Sequence, residues 1–227
     1  MGDTDDLGNP AIPSGTVAVL RDRPEGGIEV LMVRRAADVR DHFSGLWVFP
    51  GGAVEVDDHL LASGELEVAR IAAVRETREE AGIDLEAATL EVLDRWEAEP
   101  RRGPQRRYST WAFLAPAPEG EVQVDGLEIH EHRWIEPAEV IERHAADEMG
   151  MAPPTWISLL KLAEHSSVAE AISWARGRTP DDYRSRVLEI DGVVVIVWSP
   201  DELHDGPADE RHRLILEPGN WRYERSG

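Results

Sequence analysis

The densest chemistry in the chain lies in "AAVRETREEAGI", residues 72–83, where Arg75, Glu76, Arg78, Glu79 and Glu80 fall between an alanine-rich run and Gly82. On a helix, positions 76, 79 and 80 are related as i, i+3 and i+4, so the three carboxylates share one face. Like charges at that spacing destabilise a helix unless something neutralises them. A hard divalent cation such as Mg²⁺ does so through oxygen ligands, keeping water positions that a substrate phosphate can replace. The alternative for an isolated run of acids is a solvated face. Glu67 lies nine residues, two and a half turns, before Glu76.

A helix over residues 64–81 would carry these groups. Leu66, Ile71, Val74 and the alanines form its apolar side, Ser63 is placed to cap it, Glu65 and Glu67 occupy its first turn, and Gly82 suits a left-handed C-terminal cap followed by Ile83. Upstream, "GTVAVLRD" and "GIEVLMVRR" flank a Pro/Gly turn and predict a hairpin. "LWVFPGGAVEV" predicts a strand broken at Pro50-Gly51-Gly52, where paired glycines suit a close approach of backbone. Downstream, strands are expected at 89–96, 109–115 and 129–135, and helices at 137–146, 154–164 and 167–176. "VLEIDGVVVIVW" predicts a second hairpin around Asp191-Gly192, and "HRLILEP" a further strand. Strands and helices mix without regular alternation, which favours an α+β fold with a mixed sheet. Residues 1–13, acidic and proline-interrupted, are expected to be a flexible lead-in, 14–165 the main domain, and 166–227 a β-rich extension packed on it.

Composition narrows the function classes. The chain has 227 residues, 41% hydrophobic and 30% charged, enough for a sizeable core. No stretch approaches eighteen apolar residues and the first residues lack the features of a signal peptide, so a cytoplasmic location is the expectation. With no cysteine, a metal must be held by oxygen or imidazole. A formal charge of −21 argues against nucleic acid or anionic membrane as a partner. The basic run "RRGPQRR" (Arg101, Arg102, Arg106, Arg107) therefore stands out as a phosphate-recognition candidate, with a hairpin tip paired to the protein's own acids as the alternative.

Arg75-Glu76-Thr77-Arg78-Glu79-Glu80-Ala81-Gly82-Ile83 resembles the R-E-u-x-E-E-x-G-u core of the Nudix hydrolases, where u is aliphatic and Thr77 is the loose fit. Glu67 stands at the family's E-x7-R spacing from Arg75, and "FPGG" lies upstream as expected. Fourteen residues separate Gly52 from Glu67 where the family usually has five, which reads as a nine-residue insertion looping out near "VDDHLLASG". The resemblance implies an α/β/α sandwich around a mixed sheet over residues 14–165, acting on a small-molecule nucleoside diphosphate derivative, with dimerisation an expectation. Glu76, Glu79 and Glu80 would bind Mg²⁺ or Mn²⁺ and one of them would help activate water. Arg75 would hold the glutamates, the Gly51 carbonyl would be a backbone ligand, and Glu67 a further metal or helix-orienting residue. Glu128 is the candidate ligand from a later loop, with Glu131 in reserve.

Residues 31–52 resemble the signature of the coenzyme A diphosphatase branch at Leu31, Arg35, Ala36, Arg40, Gly45 and Phe49-Pro50-Gly51-Gly52, with Val33 in place of threonine and one extra residue before Gly45. Arg35, Arg40 and Arg107 are accordingly the substrate-binding candidates. An ADP-ribose or nucleotide-sugar diphosphatase is the competing substrate reading, since Pro100 falls seventeen residues after Ile83, near the position where that branch tends to have a proline. A non-catalytic nucleotide sensor on the same fold is the competing class.

Overall fold

The computed structural model describes residues 10–37, 44–99 and 106–226. A long strand β1 (Ile12–Asp22) turns into β2 (Ile28–Arg35), giving the expected hairpin, with Leu20 opposite Val30. β1 takes in Ile12 and Pro13, expected from the sequence to belong to the lead-in, because Ile12 pairs in parallel with Tyr108 and the Pro13 carbonyl accepts Val54 N–H at 2.8 Å. Past the hairpin the two strands part. The start of β1 pairs with β4 (Gly51–Ala53), whereas β2 pairs with β3 (Trp47–Val48) and β7 (Ile129–Ile135). The chain at Phe49-Pro50 thus crosses from one pairing to the other, and Thr16 Oγ1 donates to the Pro50 carbonyl at 2.7 Å to hold the crossing.

The helix carrying the glutamates, α2 (Glu65–Ala81), lies on one face of the sheet. Alternation along β1 puts Val17 and Val19 on that face with Leu31, Val33, Ala73 and Phe113, while Ala18 and Leu20 face a second core with Val30, Met32 and Leu114. The second core is closed by α4 (Pro153–Leu162) and α5 (Val168–Arg176), and α3 (Pro137–Ala145) packs beside α4. The fold is therefore the expected helix–sheet–helix arrangement around a mixed sheet. α2 uses alanines against β1 because the approach is close: a Cβ at Gly15 would stand 2.0 Å from the Ala69 carbonyl oxygen. Gly82 ends the helix at φ 67° and donates its N–H to the Arg78 carbonyl, as anticipated. Ser63 does not cap it; Gly64 does, at φ 87°, without a side-chain bond. Thr77, the loose fit in the motif, is fully buried and satisfied by donating its hydroxyl to the Ala73 carbonyl at 2.7 Å.

The segment before α2 does not simply loop out. It contains a short helix, α1 (Asp58–Leu61), whose Asp58 is buried while Val56, Leu60 and Leu61 are 74–81% exposed.

After α2, β5 (Glu91–Ala98) and β6 (Tyr108–Pro116) pair antiparallel, and β6 runs parallel beside β1. The C-terminal residues continue this sheet edge to edge. β8 (Asp181–Ile190) pairs in parallel with β5, and β9 (Val193–Val197), β10 (His212–Glu217) and β11 (Asn220–Arg225) follow, giving the order β11-β10-β9-β8-β5-β6-β1-β2-β3 among the described residues. Asp191 and Gly192 both have positive φ at the expected β8–β9 turn. β11, not anticipated from the sequence, pairs with β10 across Pro218-Gly219.

The junction is built from polar and aromatic groups together. Asp94 on β5, fully buried, accepts from Lys161 Nζ at 2.7 Å, Arg178 Nη2 at 2.9 Å and the Asp181 backbone N–H at 3.1 Å. Asp181 in turn meets Lys161 at 2.9 Å and Arg225 at 2.8 Å. Burial works against its charge, but the Arg225 and Lys161 partners outweigh it and hold its carboxyl below the usual range. Beside them the Trp96 and Tyr183 rings stack face to face at 3.8 Å. Among the described residues no helix is long and apolar enough to cross a membrane.

Candidate active site

β4, α2, the end of β2 and the loop before β7 bring most of the predicted residues to one place. The Gly51 N–H donates to Glu80 Oε2 at 2.9 Å, and Arg35 Nη1 lies 3.4 Å from Glu80 Oε1. Arg35 also reaches Glu128 at 3.5 Å, from a strand whose pairing with β7 shifts register between Arg34 and Arg35. Glu128 is presented by a turn in which the Asp125 carboxylate accepts from the N–H groups of Leu127, Glu128 and Ile129. Gly52 lies against Glu76: a Cβ there would sit 2.4 Å from the Glu76 carboxyl carbon. The two glycines thus do different work, Gly51 donating a hydrogen bond and Gly52 making room.

Arg75 organises the other side. Its Nη1 donates to Glu76 Oε1 at 2.9 Å and Glu79 Oε2 at 3.0 Å, its Nη2 to the Ala53 carbonyl at 3.0 Å, and its Nε and Nη2 to the two oxygens of Asp58 at 3.2 Å each. Five N–H donors therefore meet five acceptors. Burial disfavours its charge, but the bonds and charges of Asp58 and Glu76 more than compensate and hold its pKa above the ordinary value.

The carboxylates are under electrostatic load. Glu80 is 2% exposed, and burial pushes its pKa up to about 8. The Gly51 N–H and Arg35 pull it down, while Glu76 and Glu128 push it further up. Glu76 is raised in the same way, by burial first and then by Glu79 and Glu128, against the lowering effect of Arg75. Neighbouring acids that lift each other's pKa values describe a site short of positive charge. The donors are all oxygen, so a hard divalent cation fits this set.

Glu76, Glu79 and Glu80 stand at i, i+3 and i+4 on α2 without closing on a single point. Among the described residues no group of three or more acidic or histidine side chains is gathered closely enough to grip a metal. The physical reason is that each carboxylate has a protein partner: Glu76 and Glu79 share Arg75, and Glu80 is turned to Gly51 and Arg35. Glu67 is not brought to the site. Nine residues of helix rise separate it from Glu76, about 13.5 Å, and it lies beside Arg70 at 3.4 Å with its side chain 55% exposed.

A cavity of about 400 Å³ opens from Glu76, Gly51 and Gly52 between the sheet and α4. Arg106, just before β6, and Tyr108, Thr110 and Ala112 within it all line the cavity, the period-two signature of one strand face. Arg107, expected from the sequence to bind substrate, faces the other way, against Glu97 at 3.6 Å and the Ala98 carbonyl. Arg106 lines the cavity instead. Trp111 likewise sits away from the cavity, donating to Glu65 at 3.3 Å. Arg40, Arg101, Arg102 and Pro100 lie outside the described residues. Asp58, Trp96, Thr155 and Ser158 contribute to this region without having been anticipated. Strand alternation could have separated Arg106 from Arg107, and Asp58 follows Gly52 at the motif's five-residue spacing, but no local pattern announces Trp96, Thr155 or Ser158.

The sequence matches the NUDIX domain over residues 13–155. A curated relative, the m7GpppN-mRNA hydrolase NUDT17 of Xenopus laevis, is 28% identical over 63% of this chain and 49% of its own length, so the chain spans about half of that relative. A NUDIX hydrolase from Alicyclobacillus acidocaldarius superposes with a TM-score of 0.64 at 24% identity, over 73% of this chain and 96% of that one. The NUDIX domain of Shewanella oneidensis NrtR, solved with ADP ribose, gives a TM-score of 0.50 at 17% identity over 69% and 88% of the two chains.

Proposed function

The chain belongs to the NUDIX family, and from that premise we propose that it is a hydrolase dependent on Mg²⁺ or Mn²⁺ that cleaves the diphosphate linkage of a nucleoside diphosphate derivative. The observation that carries this reading is that Glu76 and Glu128 line a cavity that also presents Arg106, Tyr108 and Thr110, with Glu79 tied to Glu76 through Arg75 and Glu80 bonded to the Gly51 N–H beside them. Glu76, Glu79, Glu80 and Glu128, with the Gly51 carbonyl, are the groups that would hold the cation. A cation bound there would lower the pKa of a water and offset charge on the phosphate oxygens.

The remaining steps fall to this chain's own side chains. Arg75 spaces Glu76 and Glu79 on the helix face by bonding to both. One of the three helix glutamates takes the proton of the attacking water, and a carboxylate whose pKa is raised by burial is the stronger base. Arg106 provides a guanidinium for the phosphate distal to the cut, and Tyr108 a ring and hydroxyl beside it.

Within this class, coenzyme A or an acyl-coenzyme A is the substrate we place first, because the matches at Leu31, Arg35, Ala36 and Phe49-Pro50-Gly51-Gly52 end in the residues that meet Glu80 and Glu76. ADP-ribose and other nucleotide sugars come next. A non-catalytic nucleotide sensor is the reading of a different class, and the retained acidic cluster weighs against it.

The test is a panel of coenzyme A, acyl-coenzyme A, ADP-ribose, NADH, dinucleoside polyphosphates and capped RNA, with Mg²⁺ or Mn²⁺, for wild type and Glu79→Gln. Turnover of one class by wild type, lost in the variant, is the expected result. No turnover of any compound, or equal turnover by both proteins, refutes the catalytic assignment and leaves the sensor.

A further inference from the structure

We infer that the C-terminal extension completes the substrate cavity: Tyr183 on β8 holds Trp96 as the end wall, and the end so formed takes an uncharged, hydrogen-bonding ring of the nucleobase class. The inference deepens the hydrolase reading and rests on the same cavity. It gives a role to residues beyond 155, where the NUDIX match ends.

One row of paired residues crosses the sheet from the glutamate end. Ala53 on β4 pairs with Ser14 on β1, Ser14 with Thr110 on β6, Thr110 with Trp96 on β5, and Trp96 with Tyr183 on β8. At about 4.8 Å per strand, Trp96 stands roughly 14 Å from Ala53, the neighbour of the glycine that meets Glu76. The first four residues of the row line the cavity, and Tyr183 stands behind the last of them. Trp96 is 5% exposed, so it meets the cavity as a wall rather than as an open platform. Its ring lies parallel to that of Tyr183, 3.8 Å away with 2° between the planes, and Trp198 meets it edge-on at 6.0 Å. The buried Trp96 Nε1–H has no acceptor among the described residues. No hydrogen bond fixes the indole there, and the stack on Tyr183 is what places it.

The chemistry of this end differs from that of the other. Ser14, Thr110, Thr155 and Ser158 bring hydroxyls to it beside the indole. Ser14 and Thr110 share a hydrogen bond of 2.7 Å, which leaves lone pairs on both oxygens. The charged lining groups stand elsewhere: Arg35, Glu76 and Glu128 at the glutamate end, and Arg106 four residues along the chain from Thr110, roughly 13 Å. A phosphate at the Trp96 end would meet no cation among the described lining residues. An uncharged ring with donor and acceptor edges meets hydroxyls that can do both. A diphosphate joined to that ring through a ribose then reaches back toward Glu76.

The test is binding of ADP and of inorganic pyrophosphate, each with Mg²⁺, measured by isothermal titration calorimetry on the full chain. Wild type is compared with Tyr183→Leu, Trp96→Leu, Tyr183→Phe and Leu214→Ala, the last a buried change elsewhere in the extension, each checked by thermal unfolding. ADP affinity should fall about fivefold or more in the two leucine variants, as loss of an aromatic stack implies, while pyrophosphate affinity changes by less than about twofold. Tyr183→Phe, which keeps the ring, and Leu214→Ala should bind both probes as wild type does. An equal loss for both probes, or the same ADP loss in Leu214→Ala, means that the extension acts through stability alone and overturns the proposal. Folded leucine variants with wild-type ADP affinity overturn it too, as does a wild type without measurable ADP binding. If the leucine variants do not fold, Trp96→Phe, which shortens the wall but keeps a stack, decides: weaker ADP binding supports the proposal and unchanged binding overturns it. Absence of turnover across the substrate panel refutes the hydrolase reading but leaves the comparison of ADP with pyrophosphate standing, so the two failures are distinguishable.

Discussion

Gly52→Ala separates the placement of Glu76 from the stability of the fold. Gly52 has no left-handed φ, so alanine can adopt its backbone conformation, and the nearest atoms its Cβ would meet belong to the Glu76 carboxyl, at 2.4, 2.4 and 2.9 Å. Relieving that contact to the ordinary 3.4 Å moves the carboxyl by about 1 Å. Displacing a group by that much at a reacting centre costs about a hundredfold in rate, or roughly 2.7 kcal/mol of barrier. The unfolded chain loses freedom on the same substitution, which favours the folded state by about 0.4–1 kcal/mol. The expectation is therefore a kcat/KM lowered by about two orders of magnitude at an unchanged or slightly higher unfolding midpoint, measured on whichever substrate the panel identifies. Gly51→Ala supplies the contrast. At φ 151° its Cβ would stand 2.4 Å from the Gly15 carbonyl oxygen and 2.5 Å from Thr16 Cα, both backbone, so that variant should lose stability as well as activity. Wild-type kcat/KM in Gly52→Ala at wild-type stability would refute the argument that the carboxyl position of Glu76 matters to the reaction.

Four further substitutions test the cavity-facing strand and the sheet junction. Arg106→Ala should raise KM for a diphosphate substrate by about tenfold, as loss of a charge-assisted bond of roughly 1.5–3 kcal/mol implies, whereas Arg107→Ala, which faces Glu97, should leave KM unchanged; equal effects would sink the assignment of faces on that strand. Asp94→Asn leaves Lys161 and Arg178 without their buried carboxylate and should cost about 3–5 kcal/mol in denaturant unfolding; a loss under about 1 kcal/mol would mean the junction is held by its aromatic stack instead. Because the folded-state pKa of Asp181 is lowered, its contribution is present above its usual value of 3.8 and fades as pH falls through and below it. The stability gap between wild type and Asp181→Asn should thus be full at about pH 6 and shrink steadily below about pH 4; a gap that does not change with pH contradicts the pairing.

Local pattern alone was enough for most of the elements. The β1–β2 hairpin, α2 with its Gly82 end, β7 at 129–135 and the turn at Asp191-Gly192 all follow from periodicity and glycine placement, because those signals act within a few residues. The glutamate face, Arg75 and the paired glycines were legible for the same reason: helical spacing puts 76, 79 and 80 together whatever surrounds them. The loose fit within the motif's core, Thr77, proved to be a buried position with an internal partner.

What tertiary structure decided is everything that depends on distant segments meeting. Whether Arg106 or Arg107 faces the cavity depends on the register of β6 against β1, fixed by long-range pairs such as Ile12 with Tyr108. The use of residues 181–225 to extend the sheet depends on β5 offering an edge to pair with, which no residue within the C-terminal segment reveals. Asp58 reaches Arg75 across seventeen residues of chain, in a segment whose own sequence carries no helical period. Charge pattern singled out Glu76, Glu79 and Glu80 as one crowded helix face, since repulsion is a property of spacing. Burial and partner choice, which lift the Glu80 pKa to about 8 and turn each glutamate toward its donor, exist only once the chain has closed around them.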